Sequence, residues 1–375
     1  KNTSPFLLGN YRIENILPGG SEDMIDVSGA PNKKLRWEKT HSVNAGFDFA
    51  VLNQAINLSV DYYYRKGVDL IGTQMLPLET GFEMLTVNWA SMRNQGVEVA
   101  LSTRNVHTKN FMWTTNFNFA YNNNKVLKEA LREDALEPGR EGYPAGALFA
   151  LKTAGLDEEG YPMFQDKDGK AVSAMEFFKL QEWGFGATAL TARERRELYT
   201  YVGTADCPYT GGFNNTFTYK AFELGVNFSF DFGGKVRSQP TYSIVDFDKG
   251  RNTNRDILNR WTPENTETIF PVLLSQNERL DEYMWYSNQN EIYRNLDIWI
   301  RDLNYVRLQN IRLGYTLPTN FTRTLGMTSA TVAIEGRNLL VFGSSYKNYL
   351  DPETMSNAYA TPAPKSVTLS LNLIF

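Results

Sequence analysis

The side chains that could do chemistry in this sequence are few and poorly spaced for it. Glu158 and Glu159 are adjacent carboxylates of the type a glycosidase uses as acid and base. That reaction needs two carboxyls roughly 5–10 Å apart across a sugar, whereas neighbouring loop acids are ordinarily solvated charge. Asp166-Lys167-Asp168-Gly169 opens like a calcium loop, but no glutamate stands where the last ligand of an EF-hand belongs, so a polar turn is expected. His41 and His107 lack metal-ligand spacing to each other. Cys207, the sole cysteine, rules out an intrachain disulfide and a cysteine-based zinc cluster. No nucleophile elbow, zincin helix or glycine-rich phosphate loop is present. Catalysis, a metal and a cofactor are therefore not expected. Recognition remains: Trp183, Tyr209, Tyr242, Trp261, Tyr283, Trp285 and Tyr286 lie among amides and carboxylates in two polar stretches. Such rings present apolar faces to sugar C–H groups while amides bond hydroxyls, which makes these seven the candidate substrate contacts.

The elements that would position them are strands. The 375 residues include 20 Tyr, 23 Phe and 7 Trp, yet no apolar run approaches the roughly 20 residues of a membrane-spanning helix. High aromatic content without such a run fits a soluble glycan-binding β-protein or a transmembrane barrel, whose lipid face takes only every second residue. The formal net charge of −4 is spread along the chain with no long basic block, which argues against nucleic acid as a partner.

Period-2 alternation dominates, in segments of about ten residues, the length a tilted strand needs to cross a bilayer. Phe222, Leu224, Val226, Phe228, Phe230 and Phe232 alternate with Glu223, Gly225, Asn227, Ser229 and Asp231; the stretches from Ile56 to Tyr64 and from Phe111 to Tyr121 repeat the pattern. Ten strands are predicted, at 6–16, 36–51, 55–66, 87–103, 111–123, 211–219, 221–232, 302–316, 328–342 and 366–375. Their connections alternate short and long, as periplasmic turns and extracellular loops do in outer-membrane barrels. A strand-like segment at 143–155 would break that parity. It is therefore placed, with a helix near 192–201, inside an extracellular insertion over 124–210, and a second long loop covers 233–301. Val306 and Leu308 are out of phase with Ile311 and Leu313, which predicts a bulge near Gln309 or Asn310. The polar phase (Asn57, Asp61, Glu98, Asn116, Asn118, Asn227 and Asp231) is expected to line the lumen. The last strand alternates Val367, Leu369, Leu371, Leu373 and Phe375 with Thr368, Ser370, Asn372 and Ile374 and reads as the closing strand of a barrel.

Several segments carry a resemblance. Leu35-Arg36-Trp37-Glu38-Lys39-Thr40, Asn44 to Phe49, Asp61 to Tyr64, Ser91 to Glu98, Tyr305 to Pro318, Gly336-Arg337-Asn338-Leu339-Leu340, Asp351-Pro352-Glu353 and the terminal strand together resemble the barrel of SusC-type TonB-dependent outer-membrane transporters of Bacteroidetes. Ala360 to Lys365 departs from the proline run and arginine that many relatives carry. The resemblance implies an all-β fold, about ten C-terminal strands of a 22-strand transmembrane barrel spanning residues 1–375. It also implies an N-terminal plug with a TonB box and a SusD-like surface lipoprotein as partner. The plug and TonB box have no counterpart here, and the chain opens at Lys1 without an export signal, as expected of a segment of a longer protein. The implied function is energy-coupled import through the outer membrane, of an oligosaccharide first and a peptide second, with siderophore or cobalamin carriers the nearest alternative. An open sheet would leave unpaired edges in lipid, so the missing half is expected to pair with it.

Overall fold

The computed structural model describes residues 9–17, 20–27, 30–82, 84–131, 133, 135–181, 188–238, 240, 255–274, 291–343, 351–354 and 360–375. The chain begins with β1 (Gly9–Leu17) and β2 (Gly20–Val27), which pair antiparallel from Gly9↔Val27 to Leu17↔Gly20 as a separate sheet. Four long strands follow: β3 (Lys39–Val51), β4 (Ile56–Met75), β5 (Met84–His107) and β6 (Phe111–Lys128). Then come five short strands, β7 (Ala147–Leu151), β8 (Thr153–Leu156), β9 (Pro162–Gln165), β10 (Ala171–Val172) and β11 (Tyr199–Thr204), with the helices α1 (Ala174–Phe177) and α2 (Ala192–Glu197) between the last two. Long strands resume with β12 (Tyr209–Tyr219) and β13 (Phe222–Arg237). The helix α3 (Glu291–Arg294) precedes β14 (Ile300–Thr316), α4 (Thr319–Thr324) separates β14 from β15 (Ser329–Phe342), and β16 (Ser366–Ile374) ends the chain. The nine long strands form one sheet in the order β16-β15-β14-β13-β12-β6-β5-β4-β3, with each strand beside its neighbours in sequence.

Three expectations are corrected. The predicted first strand is β1, but it does not join the main sheet: the run Gly20–Val27, read as loop, is itself a strand and pairs with β1 locally. The main sheet accordingly has nine described strands rather than ten. Residues 67–86, read as a long loop, are mostly strand, because β4 continues to Met75 and β5 starts at Met84. The helix expected near 192–201 stops at Glu197, and Tyr199–Thr204 turns into β11, paired with β7. The segment 143–155 does stay out of the main sheet, in small sheets of its own.

The chain divides into two compact units, Lys1–Asn44 with Tyr63–Gln95 and Asn123–Ala145, and Ala45–Tyr62 with Gly96–Asn122 and Gly146–Phe375. Polar side chains bind the first together. Asn88 accepts from Arg36 N at 2.8 Å and donates to the carbonyls of Arg36 and Asp69 at 2.7 Å, while Glu38 accepts from Ile71 N at 2.8 Å. Arg36 and Glu38 of the Leu35–Thr40 motif are thus what fastens that segment to the strands.

In the second unit the register sorts the two faces of the sheet. Phe117, Phe213, Phe228 and Leu308 align across β6, β12, β13 and β14, as do Trp113, Phe217, Leu224 and Leu313. Rings stack along this face: Phe213 on Phe228 at 4.7 Å, Trp113 on Phe217 at 5.5 Å. Gly211 makes the stacking possible where Phe230 crosses it, since a Cβ there would meet Phe230 Cζ at 2.6 Å. Aromatics close the face at both ends. Phe111, Tyr219, Phe222 and Tyr315 align at one end; Tyr121, Tyr209 and Phe232 align at the other. On each of β6, β12 and β13 the two rows are ten residues apart, about 33 Å along a strand. With a tilt of about 45° that gives a band about 23 Å tall, the height of the apolar belt of an outer-membrane barrel.

The predicted bulge is at Gln309. Asn310 pairs with Asn227 and Leu308 with Phe228, so Gln309 is extra, and its amide turns to Ser229 Oγ at 2.7 Å. β15 answers at the same level, where Arg337 faces Asn310, Leu340 faces Leu308, and Asn338 takes φ 53°. The extra residue brings Val306 and Leu308 into phase with Ile311 and Leu313. Deleting Gln309 from the full-length protein removes the bulge but keeps Val306 and Leu308 in phase with Ile311 and Leu313, so the heat-modifiable folded band on gels should persist, whereas inserting one further residue after Gln309 should turn Tyr305 and Arg307 to the apolar face and abolish it.

Candidate functional site

The face opposite the rings is built from short polar side chains. Asn116, Asn214, Asn227 and Asn310 align on four adjacent strands, and the next rows contribute Asn118 with Ser229 and Thr210 with Asp231. Asn116, Asn118, Asn214 and Asn227 line a hollow of about 820 Å³ in the second unit, together with Asp48, Asn57, Ser59 and Gln309. A smaller hollow of about 270 Å³ is lined by Asp61, Glu98, Asn118 and Thr210. The seven residues expected on the polar phase are therefore brought together, five on the larger hollow and Asp61 and Glu98 on the smaller, with Asn118 on both. Asn57 donates to Gln54 O at 2.9 Å, and Ser59 donates to Asp48 at 2.6 Å and to Asp61 at 3.4 Å. Asn214 and Asn310 complete the ladder and were not singled out from sequence. The alternation of Thr210, Gly212, Asn214 and Thr216 was the available signal for the first, and the bulge hides the phase of the second.

The ladder can do one kind of chemistry. Each amide offers two donors and an acceptor without charge, and Asn214 Oδ1 is buried without a partner among the described residues. A wall of this composition accepts hydroxyls, amides and water alike. Asp231 is less available: Tyr305 donates to it at 2.5 Å and to Glu353 at 3.2 Å.

That pair belongs to a network around Arg307, which is 2 % exposed. Arg307 is ion-paired through Nη2 with Asp351 and bonds Glu353 through Nε at 2.9 Å. Asp351 also accepts from the backbone of Glu353 at 3.1 Å and of Ala363 at 3.3 Å. Burial works against the Asp351 charge, but the Arg307 guanidinium and these N–H groups outweigh it and hold the carboxyl below the usual range. The Asp351-Pro352-Glu353 motif and the Tyr305-Val306-Arg307 motif are thus two halves of one clamp, tying the β15–β16 connection to β14. Nothing in the spacing of these residues announces the pairing, because 44 residues separate Arg307 from Asp351.

The insertion between β6 and β12 shares one apolar core with the connection from β13 to β14. Phe164, Leu151, Leu296 and Trp299 are almost wholly buried, and Phe164, Phe177 and Phe178 pack ring to ring at 4.8–5.1 Å. Arg237, at the end of β13, bonds Asn295 and the carbonyl of Phe149, and Ser238 donates to Trp299 O at 3.0 Å; these contacts fasten both the insertion, through Phe149, and the β13–β14 connection, through Asn295 and Trp299, to the main sheet. The acidic motifs are hairpin turns here. Asp157 accepts from Glu159 N and Tyr161 N at 3.0 and 2.8 Å, and Asp166 repeats this with Asp168 N and Lys170 N at the same two distances. The Asp166 carboxyl is engaged by its own turn, as the polar-turn reading expects, and Glu158 and Glu159 are exposed.

Of the seven aromatic candidates, Trp183, Tyr242, Tyr283, Trp285 and Tyr286 lie outside the described residues. Trp261 lays its ring against Gly160, whose φ of 83° and missing Cβ make the contact possible. Tyr209 is corrected: it is the first residue of β12 rather than a loop residue, and it stacks on Tyr121 at 5.1 Å in the aromatic row of the apolar face. The terminal strand pairs with β15 from Ser329↔Ile374 to Arg337↔Ser366. Val367, Leu369, Leu371 and Leu373 share the apolar face with Ile334 and Val332, and Phe375 is 81 % exposed.

No family model matches the sequence. The chain is 27 % identical over 372 residues to the TonB-dependent receptor P3 of Formosa agariphila, covering 92 % of this chain and 35 % of that protein. It is 26 % identical over 365 residues to the TonB-dependent receptor SusC of Bacteroides thetaiotaomicron, covering 91 % and 32 %. The chain thus spans about a third of the length of the curated relatives it matches. Its fold is similar to that of the RagAB peptide transporter, with a TM-score of 0.73 at 23 % identity over 98 % of this chain and 38 % of that one. The resemblance to SusC-type TonB-dependent receptors read from the sequence is borne out, and the protein is an outer-membrane β-barrel protein.

Replacing Asp351 by Ala leaves Arg307 buried beside the partly exposed Glu353 alone. Losing one partner of a buried pair costs about 3 kcal/mol, so Asp351→Ala should lower the thermal midpoint of the full-length protein far more than Glu353→Ala. A carboxyl with a depressed native pKa stabilises above its unfolded value, and that stability is lost as pH falls through the native one. The gap between wild type and Asp351→Ala should persist at pH 5 and close only below about pH 4, the ordinary carboxylate range.

Proposed function

We propose that this chain forms the C-terminal wall of an outer-membrane importer driven through TonB, and that its nutrient is an oligosaccharide. The observation that carries this reading is the uncharged amide ladder on the hollow opposite the aromatic face. In a bilayer the rings take the lipid side, which leaves Asn57, Asp61, Glu98, Asn116, Asn118, Asn227 and Asp231 on the lumen side. Amides hold hydroxyl-rich cargo through many exchangeable bonds without trapping it by charge. The wall would pack against a plug supplied by another part of the longer protein. Energy coupling would pass through that part to the TonB complex, and a SusD-like surface lipoprotein would cover the long-connection side, as in SusC-type systems. Transport makes and breaks no covalent bond, so no catalytic residue is assigned.

Initial capture falls to the long connections. The insertion and the loop after β13, with Trp183, Trp261, Tyr242, Tyr283, Trp285 and Tyr286, are the proposed contact region. Trp261 has one ring face committed to Gly160, which makes it a rigid platform. Val367, Leu369, Leu371, Leu373 and Phe375 serve as the terminal assembly strand, closing against the first strand of the remaining barrel. β3 and β16, the two edges of the described sheet, need such partners in lipid.

A strain deleted for the full-length gene should lose growth on one class of oligosaccharide as sole carbon source and keep growth on peptides. Loss on peptides alone would replace the glycan by a peptide. Unchanged growth on both, with reduced uptake of chelated iron or cobalamin, would move the protein to that branch of the same class.

A further inference from the structure

The described part of the β15–β16 connection does not stand clear of the sheet. Tyr305 and Arg307 pair with Asp231 and Ser229, which puts both on the polar face, where Ser229, Asp231 and Gln309 line the larger hollow. Ser229 and Gln309 are only half-buried there, yet Arg307 is almost wholly covered. Its cover is the turn at 351–354, closed by Thr354 N on Asp351 O at 2.9 Å and set on the guanidinium by the carboxylates of Asp351 and Glu353. Asp351 and Pro352 are buried with it. The return to β16 is tied down as well, since Ala363 N donates to Asp351 at 3.3 Å and Asn338 of β15 donates to Pro364 O at 3.2 Å.

The register gives the level of this turn. Ser229, opposite Arg307, lies three residues from Phe232, which belongs to the aromatic row on the side of the long connections. Three residues are about 10 Å along β13, or about 7 Å of height at a tilt near 45°. The turn is therefore inside the barrel, between that row and the middle of the membrane. A layer packed on a sheet face stands about 10 Å off it, so the lumen is narrowed by about that depth on the long-connection side of the hollow. Wall and turn share one network: Tyr305 donates both to Asp231, which lines the hollow, and to Glu353. A planar guanidinium held by two carboxylates fixes the turn in one place, where a loose loop could swing aside.

We propose that the turn at 351–354 is a fixed constriction of the lumen and sets the largest cargo that reaches the amide-lined hollow. Arg307 and Asp351 are its positioning residues, and Glu353, whose side chain is 45 % exposed, is the group that passing cargo meets. The inference rests on the import reading above and is independent of which nutrient is carried.

The test is uptake by cells carrying the full-length protein, offered a ladder of cargo of graded size from the class that the growth experiment names. Wild type should show an upper size limit. R307M/D351M removes both charges together, so neither is left buried alone, and it frees the turn. Uptake of the first member above the wild-type limit should rise at least tenfold, while uptake of the smallest member changes less than twofold. E353W keeps the Arg307–Asp351 pair and thickens the turn. It should cut uptake of the member at the limit at least tenfold and again spare the smallest. If R307M/D351M does not reach the membrane, the limit of E353W decides alone. An unchanged limit in the assembled variants, or a loss that is equal for all sizes, overturns the constriction. Failure of the oligosaccharide reading is a separate result, seen as wild-type uptake of a peptide or chelate ladder instead, on which the size limit is read in the same way.

Discussion

Backbone hydrogen bonding in lipid governs this chain. Within hydrocarbon an unpaired N–H or C=O costs several kcal/mol and water cannot rescue it, so a membrane-crossing segment must pair every peptide with a neighbour. The nine-stranded sheet does so strand by strand, in sequence order. Once pairing is fixed, side chains can only alternate between faces, and everything else follows from keeping that alternation in phase. Gln309 is the clearest case. A single extra residue, its amide tied to Ser229, lets a strand whose apolar residues change phase halfway keep them all on one face.

The same logic divides the polar side chains by task. In the row across β6, β12, β13 and β14 they are small and uncharged, and this Asn116-Asn214-Asn227-Asn310 ladder wets one face without the desolvation cost that buried charges carry. Charge is used where a connection must be held. Arg307 is buried because two carboxylates from the β15–β16 connection meet it, and Tyr305 extends the clamp to Asp231. The insertion is treated differently again: it shares an apolar core with the β13–β14 connection, and side-chain bonds from Arg237 and Ser238 to carbonyls of the two segments tie both to the end of β13.

The long strands and the bulge were legible in the sequence because each depends on a period of two within one segment. Phe222 to Phe232 needed no partner to be recognised. What was hidden depends on partners far along the chain or on competition between local pairings. Gly20–Val27 looked like loop because its apolar residues are sparse, yet β1 beside it supplies a ready edge. Tyr209 looked like a loop aromatic because Pro208 and Thr210 flank it, and only the register with Tyr121 and Phe232 shows it belongs to the aromatic row. The Arg307–Asp351 clamp was invisible for the same reason: both motifs were noticed, but nothing in either says that it meets the other. Of the candidate site, the polar face was readable to within two asparagines, and the loop aromatics only as a composition.

The most direct measurement is a nitroxide scan of Phe222 to Phe232 in the full-length protein reconstituted in bilayers, with Cys207 replaced by Ser. Collision with oxygen, which partitions into lipid, should peak at the even-numbered positions. Collision with a water-soluble nickel chelate should peak at the odd ones, giving a two-residue period through the whole strand. Absence of that period, or an inverted one with Asn227 and Ser229 in lipid, would contradict the assignment of the faces and with it the amide-lined wall.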